Sequence, residues 1–555
     1  MGTADDATLA RLSDDYFQAH YAANPFAATT SGIAGFDAEV PDPSREADQR
    51  VADRLGGIAA ELSRVAPEPL GRTDRVTHAM LTRLLRDQQE TLRHGLGEVA
   101  ASATLMGALA GVLAVVPTVR LTGPPAAEAY LSRLGALGGY FDRLAERHRQ
   151  AAADGRFPTA LGVRQAIDQL DSYLGTPPDR DPLLRPEPDP GIGGAAWRAR
   201  AGELVATVVR PALARYRQTL ADQLLPVGRP GEAVGVCHVP GGTVGYLALA
   251  RAHTTTDLTP EEIHETGLAL VAELRDEFGE RGGRVLGTGE VPEVLRRLRD
   301  DQALRFTSAG EIVATVEGAL RRAEEALPGW FQRYDIAPCV VREMDPVEAE
   351  DSVLGYYQPP AADGSRPGAH VVNTYQPPLR PRFEYETLAF HESVPGHHLQ
   401  FAIGQSLTDL PDFRRFAYVT AYGEGWGLYT ERLCDEMGLY TSDLSRLGMV
   451  SFDAWRACRL VVDTGMHHFG WSRDRAIGYL RENTALSELN IANEVDRYIA
   501  EPGQALAYMI GRLRIGALRD RVRAEQGAGF DYRDFHHRVL SQGSVPLDTL
   551  DDLFP

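Results

Sequence analysis

A mainly helical fold with one small β-sheet is predicted for this 555-residue chain, on three observations. Apolar residues recur at three- and four-residue spacing through most of the sequence. Two short β-branched runs, Val340 to Met344 and VVNTY, stand in the Gly- and Pro-dense region from Ala337 to Pro381. One helix start is sharply signalled at Thr259-Pro260-Glu261-Glu262: a capping threonine, proline in the first turn and glutamate three residues after the cap.

The elements follow in order. LARLSDDYFQAHY, SREADQRVADRLGGIAAELSRV and THAMLTRLLRDQQETLRHGL open the chain as helices. Residues Val99 to Val119 carry no formal charge, but Gly, Ala, Ser, Thr and Pro117 dilute their hydrophobicity. A buried helix and turn is expected there rather than a membrane span. AAEAYLSRLGALGGYFDRLAERHRQAAA and LGVRQAIDQLDSYL continue the helical pattern. Six prolines between Pro177 and Pro190 then forbid a helix. The expected organisation is a helical lobe over 1–176, a linker or strap over 177–194, and a catalytic region over 195–555, separate from the lobe or continuous with it. A long helix is expected from Trp197 to Leu225. VVNTY (371–375) reads as a strand, Val340 to Met344 as a weaker one, and the chain after Arg382 as helical.

Composition narrows the partners. With 57 Lys+Arg against 77 Asp+Glu, the net charge of -20 disfavours nucleic acid and anionic membrane surfaces. The 55 glycines and 35 prolines show no Gly-X-Y period, which excludes a collagen-like chain. Four cysteines without CxxC spacing point to a reducing compartment. The acidic stretch MGTADDATLARLSDDYFQAHY lacks the basic and apolar regions of an export signal, so a cytoplasmic location is expected. No P-loop, GxSxG elbow or dinucleotide fingerprint stands in a fitting context.

The chemistry concentrates in LAFHESVPGHHLQ, residues 388–400. His391-Glu392 with histidines one to two turns later approximates the zincin arrangement, in which two imidazoles bind zinc and the glutamate acts as general base. The usual HExxH spacing is absent. On a regular helix His391 and His397 would stand ~9 Å apart along the axis and turned ~120° from each other, and His398 would be ~10.5 Å away. Pro395 and Gly396 permit a bulge or loop at Ser393–Gly396 that returns one of the two to His391. A third ligand is expected from AYGEGWGLYTERL, where Glu424 stands in aromatic and apolar surroundings that would penalise an unpaired carboxylate. Glu431, seven residues on, is a surface residue or a partner orienting a ligand histidine. The other His-Glu pair, His264-Glu265, has no histidine behind it and reads as helix surface.

Substrate-binding candidates are fewer. VVNTY is a candidate edge strand for an extended peptide, with Asn373 adding side-chain bonds. Arg512, or Arg380 and Arg382, offers a planar fork for a carboxylate. Tyr356 and Tyr357 are candidate cleft-lining residues.

HESVPGHHLQ, the AYGEGWGLYTERL helix, VVNTY, VVDTGMHHFGWSRDRAI and YIAEPGQALAYMIGRLRIGALRDR closely resemble the bacterial proteins grouped as domain of unknown function 885 (DUF885). HTTTDLTPEEIHETG and NPFAATTSGI carry the resemblance towards the N-terminus. That family in turn resembles an outlying, gluzincin-like branch of the HExxH metallopeptidases, whose helical bodies include thimet oligopeptidase, peptidyl-dipeptidase and the Taq-type carboxypeptidase. The resemblance implies His397 as second ligand, since it opens a Gly-His pair, and Glu424 as third ligand, 27 residues further on. It implies a late tyrosine, best matched by Tyr508, as donor to the oxyanion, with His467 and His468 as second candidates and Asp463 orienting one of them. The expectation is one Zn²⁺ per chain between two helical lobes, hydrolysing short peptides. A non-peptide amide substrate and a non-catalytic binding role are the alternatives.

Overall fold

The computed structural model describes residues 4–104, 107–189, 193–345, 349, 353–360 and 366–554. Helices dominate, and local signals set their ends. Helix α1 spans Ala4–Ala23, α2 Arg45–Leu62 and α3 Arg72–His94. Ser44 starts α2 by accepting a hydrogen bond from the Ala47 N–H. Helices α4 (Pro124–Ala153) and α5 (Ala160–Gly175) follow. The long helix expected near Trp197 runs from α6 (Gly194–Leu204) through α7 (Arg210–Thr219), with π-turns at Val205–Val209 and Leu220–Leu224. Each π-turn precedes a proline, Pro211 or Pro226, whose missing N–H breaks the regular ladder. Helix α8 (Pro260–Leu286) opens with the expected capping box, formed by Thr259 and Glu262.

Two large apolar cores organise these helices. The first joins α1–α3 to α8 and to the C-terminal helices, from Leu9 to Phe554. Arg83 crosses between chain ends to Asp548 at 2.8 Å. The second core runs from Ala101 to Leu224 and takes in α4–α7. It includes Leu183 from the proline-rich stretch, which Asp181 ties to Tyr173 at 2.8 Å and to Arg210 at 3.0 Å. Packing thus runs straight across the 177–194 strap instead of dividing there; residues 190–192 of that strap lie outside the described residues. Within the uncharged 99–119 stretch, where 105–106 are likewise outside, only Ala108–Val115 is α-helical. Among the described residues no helix is long and apolar enough to cross a membrane.

The sheet has three strands, β1 (Cys339–Glu343), β2 (Gly355–Gln358) and β3 (Gly368–Val372), in the order β1-β3-β2. The strand expected over 371–375 starts earlier and ends at Val372. Because β3 pairs with β1 on one side and β2 on the other, its backbone groups are spent, and the edge-strand expectation is overturned. One sheet face, with Cys339 and Val372, packs against helices α9 (Ala309–Trp330) and α10 (Tyr385–Glu392) in a third core. Helices α11 (His397–Ser406), α12 (Thr420–Glu436), α13 (Asp443–His467) and α14 (Ala507–Gln526) complete the surroundings of the histidine segment.

Candidate metal centre

The chain leaves helical geometry just after Glu392. Ser393 takes φ -106°, ψ -116°, Gly396 takes φ -74°, ψ -130°, and α11 restarts at His397. The turn folds back onto the end of α10 so closely that a Cβ on Gly396 would lie 2.0 Å from the His391 carbonyl oxygen. Only glycine fits there. The Trp426 indole N–H on α12 donates to the Pro395 carbonyl at 2.9 Å and pins the turn from the other side. The result is a perpendicular pair of imidazoles, His391 and His397, with ring centroids 4.6 Å apart.

Glu424 completes a triangle. Its Oε2 lies 3.5 Å from Nε2 of both histidines, and the three donor atoms fall within 4.8 Å of one another. Among the described residues this is the one group of three His, Cys, Asp or Glu side chains that converges in this way. Two of the three donors are held from behind. Glu431, fully buried, bonds His391 Nδ1 at 2.8 Å and so turns Nε2 towards Glu424. The Tyr418 hydroxyl donates to Glu424 Oε1 at 2.7 Å, leaving Oε2 to the histidines. Glycines make the room: a Cβ at 427 would meet His391 Cε1 at 2.5 Å, and one at 425 would meet Gly511 Cα of α14 at 2.4 Å.

The electrostatics follow from burial and proximity. Burial works against charge on His391, yet Glu424 and Glu431 outweigh it and push the imidazole up to about 10. Burial likewise opposes ionisation of Glu424, but His391 and His397 hold its carboxyl well below the usual range. Glu392, half-buried beside them, is raised by burial, and no described residue forms a hydrogen bond or ion pair with its carboxylate. Two imidazole nitrogens and one carboxylate oxygen, converging and backed by a second carboxylate, fit a zinc-like divalent ion.

The remaining predicted residues divide. Tyr357 lies beside the centre, its ring 6.5 Å from that of His397 and its hydroxyl 3.2 Å from His398 Nδ1. Tyr508, half-buried on the first turn of α14, feels the charge of Glu424 and has its ring 4.3 Å from the Arg459 guanidinium. His398 is turned away from the triangle, with Nε2 on the Ala337 carbonyl at 2.9 Å.

Several expectations are corrected. His467 has both nitrogens occupied, Nδ1 by the Val236 N–H and Nε2 by the Tyr498 carbonyl, so it has no atom left for an oxyanion. His468 pairs instead with Glu261 at 2.7 Å. Asp463 orients neither; it accepts from Tyr246 and from the Gly503 N–H. Asn373, fully buried, donates to the Ala349 and Val353 carbonyls and locks a turn. Tyr356 packs with Ala369 and Val371 on the sheet face opposite Tyr357. Arg512 is tied to Asp453 at 2.6 Å, Arg380 to the Tyr375 carbonyl, and Arg382 to Glu311. His264 is buried, not on the surface, and bonds the Thr464 hydroxyl at 2.8 Å.

Sequence reasoning missed Tyr418, Trp426 and the buried Arg456. Nothing in residue spacing marks Tyr418; an aromatic flanking a Gly-Glu-Gly run was the one available hint. A concavity of about 620 Å³ near Glu98 and Arg147 shares no residue with the His391–His397–Glu424 cluster.

Two solved structures share this fold. "The crystal structure of the putative lipoprotein from Colwellia psychrerythraea" matches with TM-score 0.92 and 26% identity, covering 99% of each chain. "The structure of a putative lipoprotein of unknown function from Shewanella oneidensis" matches with TM-score 0.77 and 17% identity, over 98% of this chain and 99% of that one. Both are described as lipoproteins, proteins carried at a membrane by attached lipid, and this finding overturns the expected cytoplasmic location. Comparison with curated proteins returned no match. The profile of one family covers residues 25–553, nearly the whole sequence and all of the His391–His397–Glu424 cluster, and the chain belongs to that family, "Bacterial protein of unknown function (DUF885)".

Proposed function

We propose that this protein is a zinc-dependent hydrolase acting on short peptides, related to the gluzincin-like metallopeptidases. The observation that carries the reading is the convergence of His391, His397 and Glu424 beside the unpartnered carboxylate of Glu392. A divalent ion held by these three side chains would supply Lewis acidity, polarising a carbonyl and making water available as a nucleophile near neutral pH.

The chain's own residues would do the rest. Glu392 takes a proton from water as its oxygen bonds to the peptide carbonyl carbon. The same carboxyl then gives that proton to the amide nitrogen as the C–N bond breaks, leaving a carboxylate and an amine. Burial, which raises the Glu392 pKa, suits a group that must alternate between base and acid. Tyr508 donates its hydroxyl hydrogen bond to the oxygen on which charge develops. Glu431 and Tyr418 hold His391 and Glu424 in place throughout.

Metal content of protein purified without added metal, measured beside a Glu424→Ala variant, tests the reading. About one zinc per chain, lost in the variant, together with cleavage in a quenched-peptide screen that stops in Glu392→Gln, is the expected result. Absence of zinc in the native protein even after zinc is offered would overturn it.

A further inference from the structure

The arginines Arg432, Arg459, Arg497 and Arg512, on or beside α13, are committed to acids. Arg432 is paired with Glu277 at 2.9 Å and with Asp453, and Arg512 shares Asp453 at 2.6 Å. Arg459 holds Glu494 at 3.1 Å, and Arg497 holds the same carboxylate at 3.0 Å. Arg456, in the middle of α13, differs from them. It is only 5% exposed, yet its Nε and Nη1 have no hydrogen-bond partner, and it forms no ion pair with any described residue.

An uncompensated guanidinium in such a place is costly, and the protein nevertheless fixes it rigidly. The rings of Phe452 and Trp455 each lie 4.3 Å from its central carbon, so its position is set by aromatic faces while its buried Nε and Nη1 stay unpaired. It also faces the chemistry. The charges of Glu431 and Glu424 and the hydroxyl of Tyr508 act on Arg456, and Arg456 acts on Glu392. A guanidinium serving only to neutralise those carboxylates would close on one of them, as Arg432 and Arg512 close on Asp453. Arg456 stays beyond ion-pair distance of all three.

We infer that Arg456 receives the free C-terminal carboxylate of the substrate, so that the bond cleaved lies close to the end of a short peptide. The inference rests on the hydrolase reading and narrows it to substrates that keep a terminal carboxylate near the scissile amide. The fork of a guanidinium matches a carboxylate with two parallel hydrogen bonds, which an amide cannot reciprocate.

The test uses a library of acetylated tripeptides prepared once as free acids and once as C-terminal amides. Binding is read without turnover, on zinc-loaded Glu392→Gln protein, by ultrafiltration and mass spectrometry of the retained peptides. Acids should be retained roughly 10- to 100-fold over amides. That preference should vanish when Arg456→Gln is added and return in part with Arg456→Lys, at unchanged zinc content. Equal retention of acids and amides, a preference that survives Arg456→Gln, or no retention of either library would overturn the inference. Cleavage by the native protein is scored separately. Acids retained through Arg456 but never cleaved would sink the hydrolase reading and leave the carboxylate site standing. Acids and amides cleaved equally well would do the reverse.

Discussion

Gly427 lies directly beneath the imidazole of His391, where a single added carbon would come within 2.5 Å of Cε1. One turn later on the same helix, Glu431 grips the other side of that ring. The His391 ring is therefore positioned by two residues of a different helix, four positions apart, one by its absence of side chain and one by its charge. Gly427→Ala should push the ring off Nε2 alignment with Glu424 while leaving α12 helical. A drop in zinc affinity of at least about tenfold is expected, measured by competition with a chromophoric chelator.

Removing the grip tests the same ring from its other edge. Glu431→Ala leaves His391 free to rotate and to change tautomer, and zinc affinity should fall roughly 10- to 100-fold. Glu431→Gln, which keeps one acceptor oxygen for the Nδ1 hydrogen, should lose less. Equal zinc retention in all three proteins would show that His391 needs no such support.

His397 and His398 are adjacent in sequence and opposite in role. His397→Ala removes a corner of the triangle and should abolish stoichiometric zinc binding. His398→Ala removes bonds to Tyr357 and to the Ala337 carbonyl, both outside the triangle, and should keep close to one zinc per chain. Its cost should appear as stability instead, on the order of 1–3 kcal/mol for the polar groups left unpaired, read by denaturant unfolding.

Asp463 gives a pH dependence distant from the metal. Burial is the largest influence on this fully enclosed carboxyl and, against the bonds from Tyr246 and Gly503, pushes it up to about 7. In the unfolded chain it titrates near 4, so the folded state holds the extra proton between those values. Its contribution to stability is full below about pH 4 and is lost as pH rises towards 7. The loss amounts to on the order of 2–4 kcal/mol. Asp463→Asn mimics the protonated carboxyl and should flatten this part of the stability profile, which thermal unfolding from pH 4 to 8 would reveal.

The helical class, the capping box at Thr259 and the residues His391, His397 and Glu424 that converge in the fold are legible in the sequence because each rests on local pattern. Pro395 and Gly396 announce the fold-back that HExxH spacing lacks, and Glu431 shares a helical face with Glu424. What escapes is whatever depends on distant packing. His467 and His468 look like an active pair until Val236, Tyr498 and Glu261, all remote in sequence, are seen to occupy them. Asn373 resembles a peptide hook, but its amide closes a turn. Arg456 looks like any other helical arginine, and only the full set of partners around α13 singles it out. The 177–194 prolines read as a boundary because proline ends helices, yet the helices on both sides pack into one core.

The way the cores divide the chain bears on its synthesis. The second core is complete once Leu224 has left the ribosome, so the middle of the nascent chain can fold early. The first core joins Leu9 and Leu12 to Leu550 and Phe554, so the packing of α1–α3 is complete only after residue 554 has been made. At roughly 5–20 residues per second, the interval from α3 to that point is on the order of half a minute or more. Through it, α1–α3 can pack on one another, but the apolar surface they share with the C-terminal helices stays uncovered, and that surface is what a chaperone would have to shield.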